Sequence, residues 1–241
     1  MNKFLDLNEI YKDGKWNFIN KQGELLLEKE KCFDKVKEFS YGFTGVYKEG
    51  QGWNFIDTNG EYLWKEDKWF DDVDDVDGFS NGFAVVYIED KGWNYIDTNG
   101  ELLWKEDKWF DETYWFNDDG FTYVRVEGKG WNIINTKGDL LLKGDKWMSS
   151  YSHIHYFHEG LLRCEIAGKG LNYINKQGEL LWEESNSFEY IGDFHEGFAA
   201  VKIAGKWNHI NKQGELLWEE DNSFEYIGDF RNGLAIVRIN N

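Results

Sequence analysis

Read for its alternation of apolar and polar positions, this chain repeats one short pattern along its whole length. The run Trp16-Asn17-Phe18-Ile19-Asn20 reads as an extended strand, with Trp16 and Phe18 on one face and Asn17 and Ile19 on the other. Both faces carry apolar groups, which suits a strand covered on both sides. The run closes with Gly23-Glu24 and returns at Trp53, Trp93, Trp131, Leu171 and Trp207, at steps of 37, 40, 38, 40 and 36 residues. The second position is Asn in all six copies: Asn17, Asn54, Asn94, Asn132, Asn172 and Asn208.

The remainder of each copy is equally regular. An apolar triplet follows the glycine (Leu25-Leu26-Leu27, Tyr62-Leu63-Trp64, Leu216-Leu217-Trp218). An aromatic segment such as Phe188-Glu189-Tyr190-Ile191 comes next, then an F-x-x-G turn. That turn opens a strand like Phe198-Ala199-Ala200-Val201-Lys202-Ile203, which a tight Gly205-Lys206-Trp207 turn joins to the next copy. Asn or Asp at the first position and Gly at the fourth suit a type I turn followed by a left-handed glycine. An inward-facing Asn must satisfy its amide; the expected partner is the backbone of the adjacent copy. No copy of about 38 residues closes a core alone, whereas stacked copies do. The pattern therefore predicts an all-β chain, residues 1–241 forming a single repeat domain.

These residues resemble the WG (KWG) repeat family of bacterial tandem β-repeat proteins, in which a GLA-x-V strand leads to GKWGYID and then x-x-G. The likeness spans nearly the whole chain and departs in two respects. Asn stands here where the family has Gly after Trp, and the proline common after the family's third strand is missing. The resemblance implies an all-β architecture and a role in binding, with no single activity attached to the family. The expected arrangement is six antiparallel β copies stacked as an open twisted array, with a six-bladed propeller as the alternative. The open form is preferred because Leu7-Asn8-Glu9-Ile10-Tyr11-Lys12 and Leu234-Ala235-Ile236-Val237-Arg238-Ile239 both read as the FAAVKI strand, giving seven such strands for six WN phrases.

Composition narrows the function classes. Thirteen Trp, 18% aromatic residues and no proline fit a strand-rich, packed chain. No run of about 18 apolar residues and no signal-like N-terminus occurs, so a cytoplasmic location without membrane association is expected. Two cysteines, Cys32 and Cys164, are too few for a disulfide framework. The net charge of −18 is unevenly spread: residues 51–120 hold 19 acidic and 5 basic side chains, whereas residues 1–50 hold 9 of each. Such a field repels nucleic acid and attracts cationic partners.

The acidic concentration supplies the candidate site. Phe33 to Phe39 spans six residues but Phe70 to Phe79 spans nine, so the second copy carries a three-residue acidic insertion. Asp71, Asp72, Asp74, Asp75 and Asp77, with Glu106, Asp107, Asp111, Glu112, Asp118 and Asp119 of the third copy, are the expected partner-binding residues. Duplex nucleic acid carries one charge per about 1.7 Å, so the 14 net negative charges of this region match about 24 Å of duplex. The expected function is a non-enzymatic protein-binding module that docks this surface on a basic partner. Its sharper form is a nucleic-acid mimic, an anti-CRISPR-like inhibitor of an RNA-guided nuclease. The alternative is a glycan- or cell-wall-binding module using exposed Trp residues.

Competing chemistry finds little support. An EF-hand frame with Gly78 at its sixth position puts Val73 first and Ala84 twelfth, both unfit for calcium. His153, His155 and His158 suggest a metal cluster, but His158 fills the turn slot of Ser40, Ser80, His195 and Arg231, and His153 that of Tyr190 and Tyr226. His209 sits in an aromatic slot. No phosphate loop, nucleophile elbow or Cys/His dyad occurs. No catalytic residue, metal or cofactor is expected.

Overall fold

A computed structural model describes residues 8–12, 14–28, 31–73, 78–105, 107, 109–149, 157–183, 185, 187–218 and 224–239. Among these residues there is no α-helix, and every regular element is a strand. The FAAVKI-type strands are β1 (Asn8–Lys12), β4 (Phe43–Lys48), β7 (Phe83–Ile88), β10 (Phe121–Val126), β12 (Leu161–Ile166), β15 (Phe198–Ile203) and β18 (Val237–Ile239). The WN strands are β2 (Lys15–Ile19), β5 (Gly52–Asp57), β8 (Gly92–Asp97), β11 (Gly130–Asn135), β13 (Gly170–Asn175) and β16 (Lys206–Asn211). Short aromatic strands complete the set: β3 (Lys35–Val36), β6 (Asp72–Val73), β9 (Glu112–Thr113), β14 (Phe188–Ile191) and β17 (Phe224–Ile227).

Among the described residues the strands pair antiparallel, and no sheet closes on itself. The sheets run β1-β2, β3-β4-β5, β6-β7-β8, β11-β10-β9, β12-β13 and β14-β15-β16-β17-β18. The expected all-β tandem array of antiparallel copies is what the chain forms. It divides into two compact units, residues 1–126 with 134–139, and residues 127–133 with 140–241.

Within a copy the WN strand is central. One edge of β5 pairs with β4, placing Val46 opposite Asn54 and Tyr47 opposite Trp53. The other edge takes two segments of the same copy, Phe70 bridging to Trp53 and Tyr62 bridging to Ile56. Asn54 fills the interval between them. Its Nδ2 donates to the Trp64 carbonyl (3.0 Å), while Oδ1 accepts the N–H of Trp64 (3.1 Å) and of Phe55 (2.7 Å). Asn94 does the same to Trp104 and Tyr95, and Asn172 to Trp182 and Tyr173. The clasp recurs at Asn17, Asn132 and Asn208. It corrects the expected partner: each Asn binds the triplet ten residues on in its own copy, not the adjacent copy. The reason is geometric, since a carboxamide presents the same donor and acceptor as a peptide group and completes the rung the backbone leaves open.

Aromatic rings build the core on this frame. The third position of the WN phrase is buried in every copy, as Phe18, Phe55, Tyr95, Ile133, Tyr173 and His209. It meets the F of the following turn: Phe55 on Phe79 at 5.2 Å, Tyr95 on Phe116 at 4.9 Å, Tyr173 on Phe194 at 4.9 Å. The FAAVKI strand then reaches the next copy's turn, Phe43 to Phe79 at 5.0 Å and Phe198 to Phe230 at 5.1 Å. Cys164 faces Asn172 in the register slot that holds Val46, Val86 and Val201 elsewhere. Burial pushes its thiol up to about 12, so it packs as a small apolar group.

Copies approach closely at the turn glycine. Gly100 has φ +83, and a Cβ there would lie 2.5 Å from the Leu63 carbonyl oxygen of the preceding copy. Gly23 has φ +81 but no described atom within 4 Å of such a Cβ. Gly23→Ala should therefore lower stability by about 1–2 kcal/mol, the cost of a left-handed alanine. Gly100→Ala should lose about 1–3 kcal/mol more, because the preceding backbone must also shift. Parallel denaturant unfolding of the two variants checks the difference.

Candidate partner-binding surface

Seven of the eleven expected site residues lie within the described structure. Asp74, Asp75, Asp77 and Glu106 lie outside the described residues, as do His153 and His155. Asp72 opens β6 with Asp71 just before it, and Glu112 with Asp111 before it occupy the same slot at β9 one copy later. Antiparallel pairing with the neighbouring FAAVKI strand fixes both slots, since Asp71 N–H donates to Tyr87 O and Asp111 N–H to Arg125 O, each at 2.9 Å.

Not all of these carboxylates are free to receive a partner. Asp71 Oδ2 accepts the Glu89 N–H (2.8 Å) and lies 3.6 Å from Lys68 Nζ. In the first copy Asp34 accepts the Glu49 N–H in the same way (2.9 Å). Its ion pair with Lys15, then the Glu49 N–H, hold its carboxyl below the ordinary value. This aspartate ties the turn that ends the FAAVKI strand, a structural task the sequence reading missed. Glu112 pairs with Arg125, its register partner on β10. Asp72 is exposed, its Oδ1 accepting the next residue's N–H at 2.9 Å.

Asp118 and Asp119 sit elsewhere on the copy. They form the tip of an Asx turn in which Asn117 Oδ1 accepts the N–H of Asp119 (3.1 Å) and Phe121 (3.0 Å), with Gly120 at φ +78. This turn opens β10, whereas Asp111 and Glu112 lie beside its far end at Arg125. At about 3.4 Å per residue the two pairs stand about 14 Å apart along the strand. The acidic groups thus form two sub-clusters, with Asp107 exposed four residues before Asp111. The Asn-Asp-Asp-Gly wording of the second was a readable turn signature.

The turns also form a ladder between copies. Asn81 Nδ2 donates to the carbonyls of Phe116 (3.1 Å) and Asn117 (2.9 Å). Glu159 accepts the Gly197 N–H at 2.9 Å, and Glu196 accepts those of Asn232 (2.6 Å) and Gly233 (2.8 Å). Asn81, Glu159 and Glu196 all have φ near +50, followed by a glycine with positive φ. That is the two-residue turn whose twist matches a hairpin. His158 and His195 occupy the slot just before, their rings 5.9 Å apart, with Asp193 and Asp229 within 3.8 Å and 3.6 Å of their Nε2 atoms. Among the described residues no group of three or more His, Cys, Asp or Glu is placed to hold a metal ion.

Two further features bear on binding. None of the thirteen Trp is an exposed residue; Trp69, Trp109, Trp131 and Trp147 are buried and the rest half-buried. Lysines cover the recurrent indoles, with Lys48, Lys91 and Lys129 Nζ 5.8, 5.4 and 5.6 Å from the rings of Trp69, Trp109 and Trp147. No described helix is long and apolar enough to cross a membrane.

The family model described as "WG containing repeat" matches residues 16–51, 187–207 and 223–241. Among curated proteins none matches the sequence. The solved structures similar to this chain include three with low TM-scores. The computationally designed Ika8 protein is 12% identical with a TM-score of 0.35, over 96% of this chain and 80% of that one. BamB from Moraxella catarrhalis is 16% identical at 0.32, over 93% and 75%. The WD40 beta propeller domain of Doa1 is 10% identical at 0.34, over 98% and 87%.

His209 yields a pH prediction. Its ring is fully buried in the slot of Phe18 and Phe55, with Nε2 2.9 Å from the Gly228 carbonyl and Nδ1 without a hydrogen-bond partner among the described residues. Burial holds its pKa below the ordinary 6.5, against the opposing pull of the Gly228 carbonyl and Asp229. The unfolded chain then binds a proton that the folded chain refuses. His209 therefore leaves stability intact above its unfolded pKa and subtracts from it as pH falls below. His209→Phe should lose less stability than the parent between pH 7 and 5, measured as unfolding midpoint against pH.

Proposed function

We propose that this chain, which the WG containing repeat model matches in three stretches and which is built as a β-repeat module, is a non-enzymatic binding protein of the cytosol that docks its acidic second and third copies on a basic protein surface. The observation that carries this reading is the charge asymmetry, 19 acidic against 5 basic side chains over residues 51–120 within a chain of net charge −18. The exposure of Asp72, Asp107 and Asp118 is consistent with it. A surface this acidic speeds encounter with a cationic partner and disfavours nucleic acid. In its sharper form the surface stands in for a nucleic-acid backbone on an RNA-guided nuclease, as an anti-CRISPR-like inhibitor. The glycan-binding alternative loses its main support, because no indole lies open as a stacking platform.

Charge reversal tests the reading while sparing the turn that Asp71 holds. Replacing Asp72, Asp74, Asp75, Asp77 and Asp118 by Lys should leave the thermal midpoint nearly unchanged and release the partner recovered with the parent chain. Recovery should also fall steeply as salt rises from about 0.05 to 0.5 M. A partner held equally by the reversed variant, or unmoved by salt, contradicts the proposal. Competition by duplex DNA for the recovered partner decides the mimic form.

A further inference from the structure

At two hairpin turns a carboxylate from the preceding copy holds the N–H of the turn glycine. Glu159 Oε2 accepts the Gly197 N–H at 2.9 Å, and Glu196 Oε2 accepts that of Gly233 at 2.8 Å. In both cases the capping residue is the one with φ near +50 in its own turn. The first copy has Tyr41 in that place, at φ +49 and 75% exposed. A phenol supplies no carboxylate to the next turn, which is Asn81-Gly82. The Gly82 N–H has no hydrogen-bond partner among the described residues, and a Cβ on Gly82 would meet no described atom within 4 Å.

This open N–H follows an asparagine, and that order has a chemical consequence. A backbone nitrogen can attack the side-chain carbonyl carbon of the residue before it, and glycine resists least because it lacks a Cβ. Four Asn-Gly pairs occur in the sequence: Asn59-Gly60, Asn81-Gly82, Asn99-Gly100 and Asn232-Gly233. In three of them the glycine N–H is engaged, Gly60 with the Asp57 carbonyl (3.0 Å), Gly100 with the Asp97 carbonyl (3.1 Å) and Gly233 with Glu196. Gly82 alone of the four lacks such a bond among the described residues.

We propose that Asn81 is a self-modification site, at which the Gly82 nitrogen displaces the side-chain amide. A bond forms between Gly82 N and Asn81 Cγ, the Cγ–Nδ2 bond breaks, and ammonia leaves with the glycine proton. Water then opens the cyclic imide at either of its carbonyls, leaving aspartate or isoaspartate. No other reactant takes part. Asn81 is exposed, and its Nδ2 donates to the carbonyls of Phe116 and Asn117, joining the second copy to the third. These are bonds between neutral groups, weaker than the carboxylate bond that holds Gly233. A carboxylate at position 81 has no hydrogen to give and turns its charge on both oxygens, so the link between the copies is lost.

The test is incubation of the intact 241-residue chain at mildly alkaline pH, with peptide mapping by mass spectrometry for aspartate and isoaspartate at the four pairs. Asn81 is expected to convert first, and Asn81→Asp should lower the thermal midpoint. Tyr41→Glu supplies the carboxylate that Glu159 and Glu196 offer elsewhere, and should slow conversion of Asn81 about tenfold. Glu196→Ala should quicken conversion of Asn232 by a similar factor. In denaturant the preference for Asn81 should vanish. Conversion first at another pair, an unchanged Asn81 rate in Tyr41→Glu, or a preference that survives unfolding overturns the proposal.

Discussion

In every copy a buried side-chain amide takes the place of a peptide group, and the packing around it depends on that substitution. The WN strand has a continuous backbone partner on one edge only. Its other edge is shared by two short segments, and the Asn carboxamide closes the interval by binding both the N–H and the carbonyl of the residue ten positions on. Without it, a donor and an acceptor of the triplet would stand unpaired in the core, at about 1–3 kcal/mol for each group. With it, the triplet is fixed against its own strand, and the indole at its end reaches the aromatic segment, as Trp64 meets Phe70 at 5.1 Å and Trp104 meets Phe110 at 5.0 Å.

Neighbouring copies join through what this clasp sets in place. The triplet becomes a rigid floor on which the next turn glycine rests without room for a Cβ. The hairpin turns add side-chain bonds from one copy to the next, through Asn81, Glu159 and Glu196. Each link is local in sequence and involves adjacent copies only, which is the energetic form of a repeat array. Chemistry is pushed outward by this economy of space: the indoles are consumed in packing, and the polar surface is left to vary from copy to copy.

Much of the fold was legible because the repeat multiplies weak signals. One Trp-Asn-aromatic-Ile phrase is ambiguous, but six with a glycine at constant spacing define strand, turn and register together. Even His209 was readable as a core residue by its slot, which Tyr95 and Tyr173 fill with the same kind of bond to a carbonyl nineteen residues on. The direction of the Asn bond was not legible, since a sequence shows that an inward amide needs a partner but not which segment folds back to it. The acidic surface was legible only as a total. Asp71 and Glu112 are charged in the sequence like their neighbours, yet one ties a turn and the other meets Arg125, and only three-dimensional register distinguishes them from Asp72. The WG resemblance likewise marked the residue after Trp as a departure from glycine without indicating that the replacement is the clasp.

The most direct test of this account is the unfolding free energy of Asn94→Ala, at a position sealed from solvent. The truncation strips the Trp104 N–H and carbonyl and the Tyr95 N–H of their side-chain partner. A loss of about 3 kcal/mol is predicted, from one buried and two part-buried groups at about 1 kcal/mol each. A loss below about 1 kcal/mol would mean that the triplet is held by its apolar contacts alone, and would contradict the account.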